Sequence, residues 1–380
     1  MNITNPRVRA ATVFLLAILI IWFRAPDRLA HGFLWAEDAS VFIAQAHQLG
    51  RHSILFDYAG YLHLLPRLIA YGQFTLTPIG YAPYVFVIAS LLVTAAACAY
   101  IAAAVRAPLV AMLLGLALVL SPQQGEVLLS ITNLQWMMFP VLLALLWECL
   151  FDPPTSWIWP RALVTAMLGL TGPFGVLVSP AVAIAAFWKR KLLSRKQIAW
   201  LACYALAVLG QAWIMHTHPA YTPPPGKVDW LHRAPKELFV DLLPGQAPLW
   251  LGWAMAAWLM VTIAGSDSAL IGGFICAVGI AIWGLGAYRV NGYAHAFVWY
   301  GAGSRYLYIP LLMFGWASIL AATTARSRAI CCAAGLFAGI VLLASATRFE
   351  AGAWKTWTIV DTPTGYELTV PPDWTVTVPR

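Results

Sequence analysis

Two adjacent carboxylates, Glu37 and Asp38, stand in Trp35-Ala36-Glu37-Asp38, shortly after a single N-terminal apolar run. Acids at a membrane surface must be solvated, paired or used. The use open to them is to take a proton from a hydroxyl. Neighbours on a helix point in different directions, so one substrate meets only one of the pair; Asp38 is read as the base and Glu37 as a ligand or orienting group. A plainer reading is a helix cap, since Asp38 suits an N-cap and an acid beside it favours the positive helix end. Glu126, next to Gly125, is the third candidate base.

Cations follow. Arg305 in Gly301-Ala302-Gly303-Ser304-Arg305-Tyr306 sits where a loop meets an apolar segment. A planar guanidinium there suits a phosphate, with glycine N–H groups alongside. The alternative is an interfacial anchor beside Tyr306 and Tyr308. Arg67, after Pro66, is a second phosphate candidate, or a snorkelling side chain. Asn133 and Gln135 enter an apolar segment, where polar groups need partners; they line a cavity or pack helices. Tyr61, His63 and Tyr306 complete the candidate substrate contacts, and Trp35, Trp136 and Trp299 are candidates to stack on a sugar face. His216-Thr217-His218 lacks an acidic neighbour, so no metal is assigned. His31, His232 and His295 add none, and no cofactor is expected. There is no Walker A loop, dinucleotide fingerprint or G-x-S-x-G elbow.

These residues need a membrane frame. The chain is 61% hydrophobic and 10% charged, with a mean hydropathy of +0.75, which excludes a soluble globular protein. The expected fold is an all-α polytopic membrane protein. Spans are read at roughly 10–23, 82–104, 108–121, 133–150, 162–172, 174–188, 198–215, 249–264, 269–287, 306–324 and 329–347, about 11 transmembrane helices, several shorter than the ~20 residues of an upright crossing. Segment 10–23 lacks a cleavage site and reads as a retained span. Around Thr171-Gly172-Pro173 the choice is one kinked helix or a shallow hairpin. The hairpin is preferred because it puts Arg161 on the same side as the Lys189–Lys196 cluster. Segment 64–77 reads as an interfacial helix in the first outer loop, 24–80.

With the N-terminus inside, inner loops of about 40 residues carry as many Lys and Arg as about 150 outer residues, the expected bias. Four outer segments can build a site: 24–80, 122–132, 217–247 and 288–305. Residues 1–347 form the membrane domain, and 348–380 a small external β-hairpin tail, rich in β-branched and aromatic residues between turns. The six cysteines lie in apolar segments and imply neither disulfides nor a thiolate site. The net charge of +8 is dispersed and gives no nucleic-acid patch.

One span, a long loop opening on Glu37-Asp38, a returning helix through Tyr61, His63 and Arg67, and then many spans resembles the GT-C superfamily of membrane glycosyltransferases. The resemblance covers mainly residues 1–150. It implies transfer of a sugar from a polyprenyl-phosphate carrier to a cell-envelope glycan on the outer face, with inversion, in the manner of O-antigen-modifying glucosyltransferases. The acceptor hydroxyl would be deprotonated by Asp38 or Glu37, and the polyprenyl phosphate would leave towards Arg305. The expected partners are that donor, a glycan or lipid-linked glycan acceptor and the bilayer, with no nucleic acid. A bacterial inner membrane is the expected location, N-terminus cytoplasmic and C-terminus external. Ala39-Ser40 brings no further acid, and a large C-terminal soluble domain is missing. Two other readings stay open. An O-antigen-type polymerase would lean on loop arginines. A transporter or flippase for lipid-linked sugars would show repeated halves and mid-membrane charges, and only the Thr171-Gly172-Pro173 break favours it.

Overall fold

A computed structural model describes residues 3–122, 126–154, 156–220, 229–243, 247–290, 305–347, 356–371 and 373–380. His295, Trp299 and the glycines Gly125, Gly301 and Gly303 lie outside the described residues. In chain order the helices are α1 (Pro6–Arg24), α2 (Pro26–His31), α3 (Ala44–Leu49), α4 (Leu64–Leu76), α5 (Ala82–Ala104), α6 (Pro108–Leu120), α7 (Leu134–Phe151) and α8 (Ile158–Gly169). They continue as α9 (Phe174–Lys189), α10 (Arg195–Thr217), α11 (Trp230–Leu238), α12 (Leu249–Ala264), α13 (Ala269–Val290), α14 (Arg305–Thr323) and α15 (Arg328–Thr347). The tail forms β1 (Thr358–Thr362), β2 (Gly365–Val370) and β3 (Trp374–Pro379).

Each of the eleven expected spans has a helix at its place. Among the described residues six segments are long and apolar enough to cross a membrane: Pro6–Arg24, Ile79–Ala104, Leu134–Phe151, Arg195–Thr217, Ala269–Arg289 and Arg305–Thr323. Helices α6, α9, α12 and α15 supply shorter apolar segments. The 13 residues of α6 reach roughly 20 Å at 1.5 Å per residue, short of a hydrocarbon core of about 30 Å.

The chain divides into two compact units: Met1–Arg24, Cys98–Leu128 and Thr222–Gly352 make the first, and Ala25–Ala97, Leu129–Tyr221 and Ala353–Arg380 the second. The core of the first gathers α12 to α15 around Leu259, Trp283, Phe314 and Phe337. Arg9 at the start of α1 donates to the Ala102 carbonyl (2.6 Å) and the Val105 carbonyl (2.8 Å). At the other end of α1, Arg24 donates to the Val119 carbonyl. Tyr308, one turn into α14, donates to the Leu118 carbonyl (2.9 Å). Helices α1 and α6 therefore run parallel, with α14 antiparallel to them. Arg326–Asp267 (2.9 Å) joins the far end of α14 to the turn between α12 and α13.

In the second unit the bonds of α7 to α10 decide the hairpin question. At one end Arg161 pairs with Glu148 (3.1 Å), Lys189 donates to the Leu150 carbonyl (3.1 Å) and Gln197 to the Cys149 carbonyl (2.7 Å). At the other end His63 bridges Thr171 in a short antiparallel contact. The Gln211 amide donates to the Leu62 (3.2 Å) and Gly172 (2.8 Å) carbonyls. Helices α8 and α9 thus start and finish at the same end, with their apex at Gly172 against the 58–64 loop. Gly172 takes φ +87° there, and a Cβ would fall on Gln135 Oε1. Backbone groups of this break are paired within the protein: the Gly172 N–H donates to the Leu62 carbonyl (2.9 Å) and its carbonyl accepts from Gln211 (2.8 Å).

The tail is a three-stranded antiparallel sheet, order β1-β2-β3, rather than a hairpin. It is not a detached cap. Leu368, Val370 and Val378 share a core with Leu34, Phe42 and Ile43 of the first loop. His47 Nδ1 meets the Pro379 carbonyl at 3.2 Å. Loop and tail therefore lie on one side of any membrane the helices cross. Helix α4 packs within this unit beside them: Pro66, Arg67, Ala70 and Gln73 are buried.

Candidate functional site

Asp38 sits where the sequence turns from extended to helical. Ala36 begins the helical turn and Asp38 opens a wide, π-type turn to Ile43. Its Oδ2 accepts the Trp35 N–H at 2.9 Å. That is the returning half of a capping box, with Asp38 at the third helical position rather than at the cap itself. Oδ1 accepts three more bonds: Thr132 N–H (3.0 Å), Thr132 Oγ1 (2.6 Å) and Ser130 Oγ (3.3 Å). The side chain is 0% exposed. Burial pushes its pKa up to about 6 against the pull of the Thr132 and Trp35 hydrogen bonds, and Glu37 pushes the same way. Buried Arg28 is its cationic neighbour, held down to about 9 by burial with Asp38 acting the other way. The Arg28 guanidinium lies 3.5 Å from the centre of the Phe33 ring. Asp38 therefore ties the first loop to the 130–132 segment ahead of α7. Glu37 is half-buried.

Arg67 is buried as well, and its two terminal guanidinium nitrogens donate within its own loop. One guanidinium nitrogen donates to the Ser53 carbonyl (2.9 Å), the other to Gln45 Oε1 (2.7 Å) and the Asp57 carbonyl (3.4 Å). Phe42 and Phe56 flank it. Burial lowers its pKa to about 10, with Asp57 opposing. This is a brace for the loop, and Arg67 is not positioned to receive a phosphate. His63 precedes α4 instead of lying in it, buried among the rings of Tyr61 (4.6 Å), Phe42 (5.6 Å) and Tyr58 (5.8 Å). Asn133 is buried at the start of α7. Gln135 lines a small recess with Met138, Phe139, Leu142, Leu168, Thr171 and Phe174. Of these, His63 and Gln135 belong to the framework of the hairpin apex in the second unit.

The first unit brings two candidates together. Glu126, 3% exposed, forms an ion pair with the Arg305 guanidinium through Oε1. Its Oε2 accepts the Arg305 backbone N–H at 3.3 Å. Arg305 is the first residue of α14, so this carboxylate meets a guanidinium and a positive helix end at once. The guanidinium passes 5.3 Å from the centre of the Tyr306 ring. About a quarter of the Arg305 side chain is exposed, against 2% for Glu126. An acid and a cation so arranged can hold an anion or exchange a proton at a surface that opens on the arginine's side.

Sequence reasoning missed Arg28, Ser130 and Thr132, the partners of Asp38. The alternation Ser130-Ile131-Thr132-Asn133 beside an apolar run was the available signal. It also missed Glu237, whose carboxylate accepts from Arg233 (2.7 Å) and the Trp283 indole (2.9 Å). Burial raises its pKa despite both bonds. His31, His216, His218 and His232 are exposed. Among the described residues no three His, Cys, Asp or Glu gather as metal ligands. Comparison of the chain with protein-family models, curated proteins and solved structures finds no match in any of the three.

Proposed function

We propose that this chain is an integral membrane glycosyltransferase of the GT-C type, moving a sugar from a polyprenyl-phosphate carrier to a cell-envelope glycan with inversion. The observation that carries the reading is the pair of buried Glu126 with part-exposed Arg305 at the start of α14. The reaction asks for a base for the acceptor hydroxyl and a cation for the departing phosphate. The acceptor oxygen attacks the anomeric carbon and its proton passes to a carboxylate. The bond from that carbon to phosphate breaks, and the new charge on the leaving oxygen meets the Arg305 guanidinium. Of the three acids, Asp38 is the least suited to this step. Its two oxygens already take four hydrogen bonds and none of its surface is open. Glu126 is therefore preferred as the base, with Glu37 second.

Charge supports the orientation. Arg161 and Lys189 share the end of the second unit opposite the first loop, and Arg9 the end of the first unit opposite the Glu126–Arg305 pair. Basic ends face the cytoplasm, so the proposed site faces outward, in a bacterial inner membrane. A transporter of lipid-linked sugars is the second reading, favoured by the broken α8–α9 hairpin. Membranes bearing the protein separate the two. A transferase consumes a polyprenyl-phosphate sugar, ignores nucleotide sugar once that lipid is absent, and loses about 10²–10⁴-fold in Glu126→Gln, the range for a general base. Turnover of nucleotide sugar by the purified protein, or a full rate in Glu126→Gln, Glu37→Gln and Asp38→Asn alike, would refute the mechanism.

A further inference from the structure

Arg305 offers two donors to one anion, its guanidinium and the first N–H of α14, and Glu126 fills both. A helix start combined with an arginine is an anion seat by construction, suited to a phosphate oxygen as well as to a carboxylate. The present occupant is covalently part of the chain. The two partners are also unequally exposed: the carboxylate is sunk at 2%, while the guanidinium keeps about a quarter of its surface open. A second anion can therefore approach the arginine without first passing the acid.

We propose that Glu126 is the resident anion of this seat and that the donor's phosphate must displace it. This rests on the reading of the chain as an enzyme of lipid-linked sugars. With no donor present, the pair neutralises two charges that would be costly to leave single in a buried place. Both Glu126 carboxylate oxygens are then held by Arg305, one by the guanidinium and one by the backbone N–H. When phosphate takes the guanidinium and the helix N–H, the two carboxylate oxygens are released from Arg305 and can turn to the acceptor hydroxyl. The acceptor hydroxyl is the proton source at hand. Donor binding and release of the carboxylate from Arg305 thus become one event.

Competition for one seat has a direct signature in binding. Glu126→Gln keeps the shape and one acceptor oxygen but removes the rival charge, so a phosphate should bind tighter, by roughly five- to hundred-fold, the usual span of a coupling between two ligands. The experiment titrates a short-chain polyprenyl monophosphate, and separately inorganic phosphate, onto the full-length protein in nanodiscs. Wild type, Glu126→Gln, Glu126→Asp, Arg305→Gln and the Glu126→Gln/Arg305→Gln double variant are compared. Tighter binding in both Glu126 variants, with affinity lost whenever Arg305 is replaced, is the expected result. If inorganic phosphate shows the same order, the seat reads the phosphate alone; if only the lipid does, the chain contributes to binding, and either order supports the displacement. Equal or weaker binding of the lipid phosphate in Glu126→Gln, with wild type binding it, overturns the displacement and leaves the transferase reading intact. No binding of the lipid by any of the proteins overturns both. Should Glu126→Gln fail to fold, Glu126→Asp decides, because its shorter reach weakens the grip on Arg305 while keeping the charge.

Discussion

Replacing Asp38 by Asn separates an anchor from a base, and its effect can be worked out from four hydrogen bonds. The amide keeps one oxygen, which can serve Thr132 and Ser130. Its nitrogen then faces the Trp35 N–H, donor against donor, at a site where 2.9 Å now separates donor from acceptor. Losing one buried bond in this way costs about 1–3 kcal/mol. A second effect runs the other way and depends on pH. Burial lifts the Asp38 pKa from 3.8 to about 6, so the folded protein holds this proton more tightly than the unfolded chain. The resulting stabilisation is fully present below the unfolded value and is lost as pH rises through 6. Two pKa units are worth up to about 3 kcal/mol. Asn does not titrate. The variant should therefore fall about 1–3 kcal/mol below wild type near pH 4.5 and draw level near pH 7.5. Thermal unfolding in detergent, followed by tryptophan fluorescence at both pH values, measures the gap. Transfer at pH 7.5, where stabilities match, should be near normal if Asp38 anchors the loop. A gap that does not change with pH would refute the buried titration. A drop in transfer of about 10²–10⁴-fold at matched stability would show that Asp38 is the base after all.

Gly172→Ala should cost about 1.5–3.5 kcal/mol, from a positive φ worth about 1–2 and a displaced Gln135 rotamer worth about 0.5–1.5. The Gln135→Ala background should remove the second part, and additive costs in thermal unfolding would contradict the close approach. Leu368→Ala, in the core shared by tail and loop, should cost about 2–5 kcal/mol. It should also speed hydrogen exchange at residues 36–47, and unchanged exchange there would mean the sheet does not support the loop. A reporter fused after Arg195 should be cytoplasmic and one after Trp357 external; finding both on one side would overturn the orientation.

The helical frame was legible because it is written in local runs. The expected 249–264 span is α12 itself, and 133–150 is α7 shifted by one residue. Pro108 at the first turn of α6 and the Ser194/Gln197 capping box of α10 mark helix starts through bonds spanning three residues. The hairpin at Thr171-Gly172-Pro173 was readable through charge, since Arg161 and Lys189 needed the same side. The site was less legible, because its partners are far apart in the chain. Asp38 meets Thr132 across 94 positions and Arg305 meets Glu126 across 179. Nothing in a local pattern says which buried acid will find which donor. Arg67 and Arg305 show the same limit. Each is an arginine next to apolar sequence, yet Arg67 is spent on its own loop while Arg305 pairs with Glu126 at the start of α14.

The docking of the tail sheet on the first loop has a consequence for the order in which the protein is made. His47 and Pro379 touch, yet 332 positions separate them. At about 5–20 residues per second, that is on the order of 15–70 s of synthesis. Throughout that interval the first loop is already made, with Leu34, Phe42 and Ile43 waiting for Leu368 and Val378 to cover them. The Asp38 turn is thus among the first parts of the chain to be synthesised and among the last to be finished. A mistake in threading any later helix would deliver the tail to the wrong side and leave that apolar surface bare. The contact acts as a check on topology: only a chain inserted with the right parity can close it.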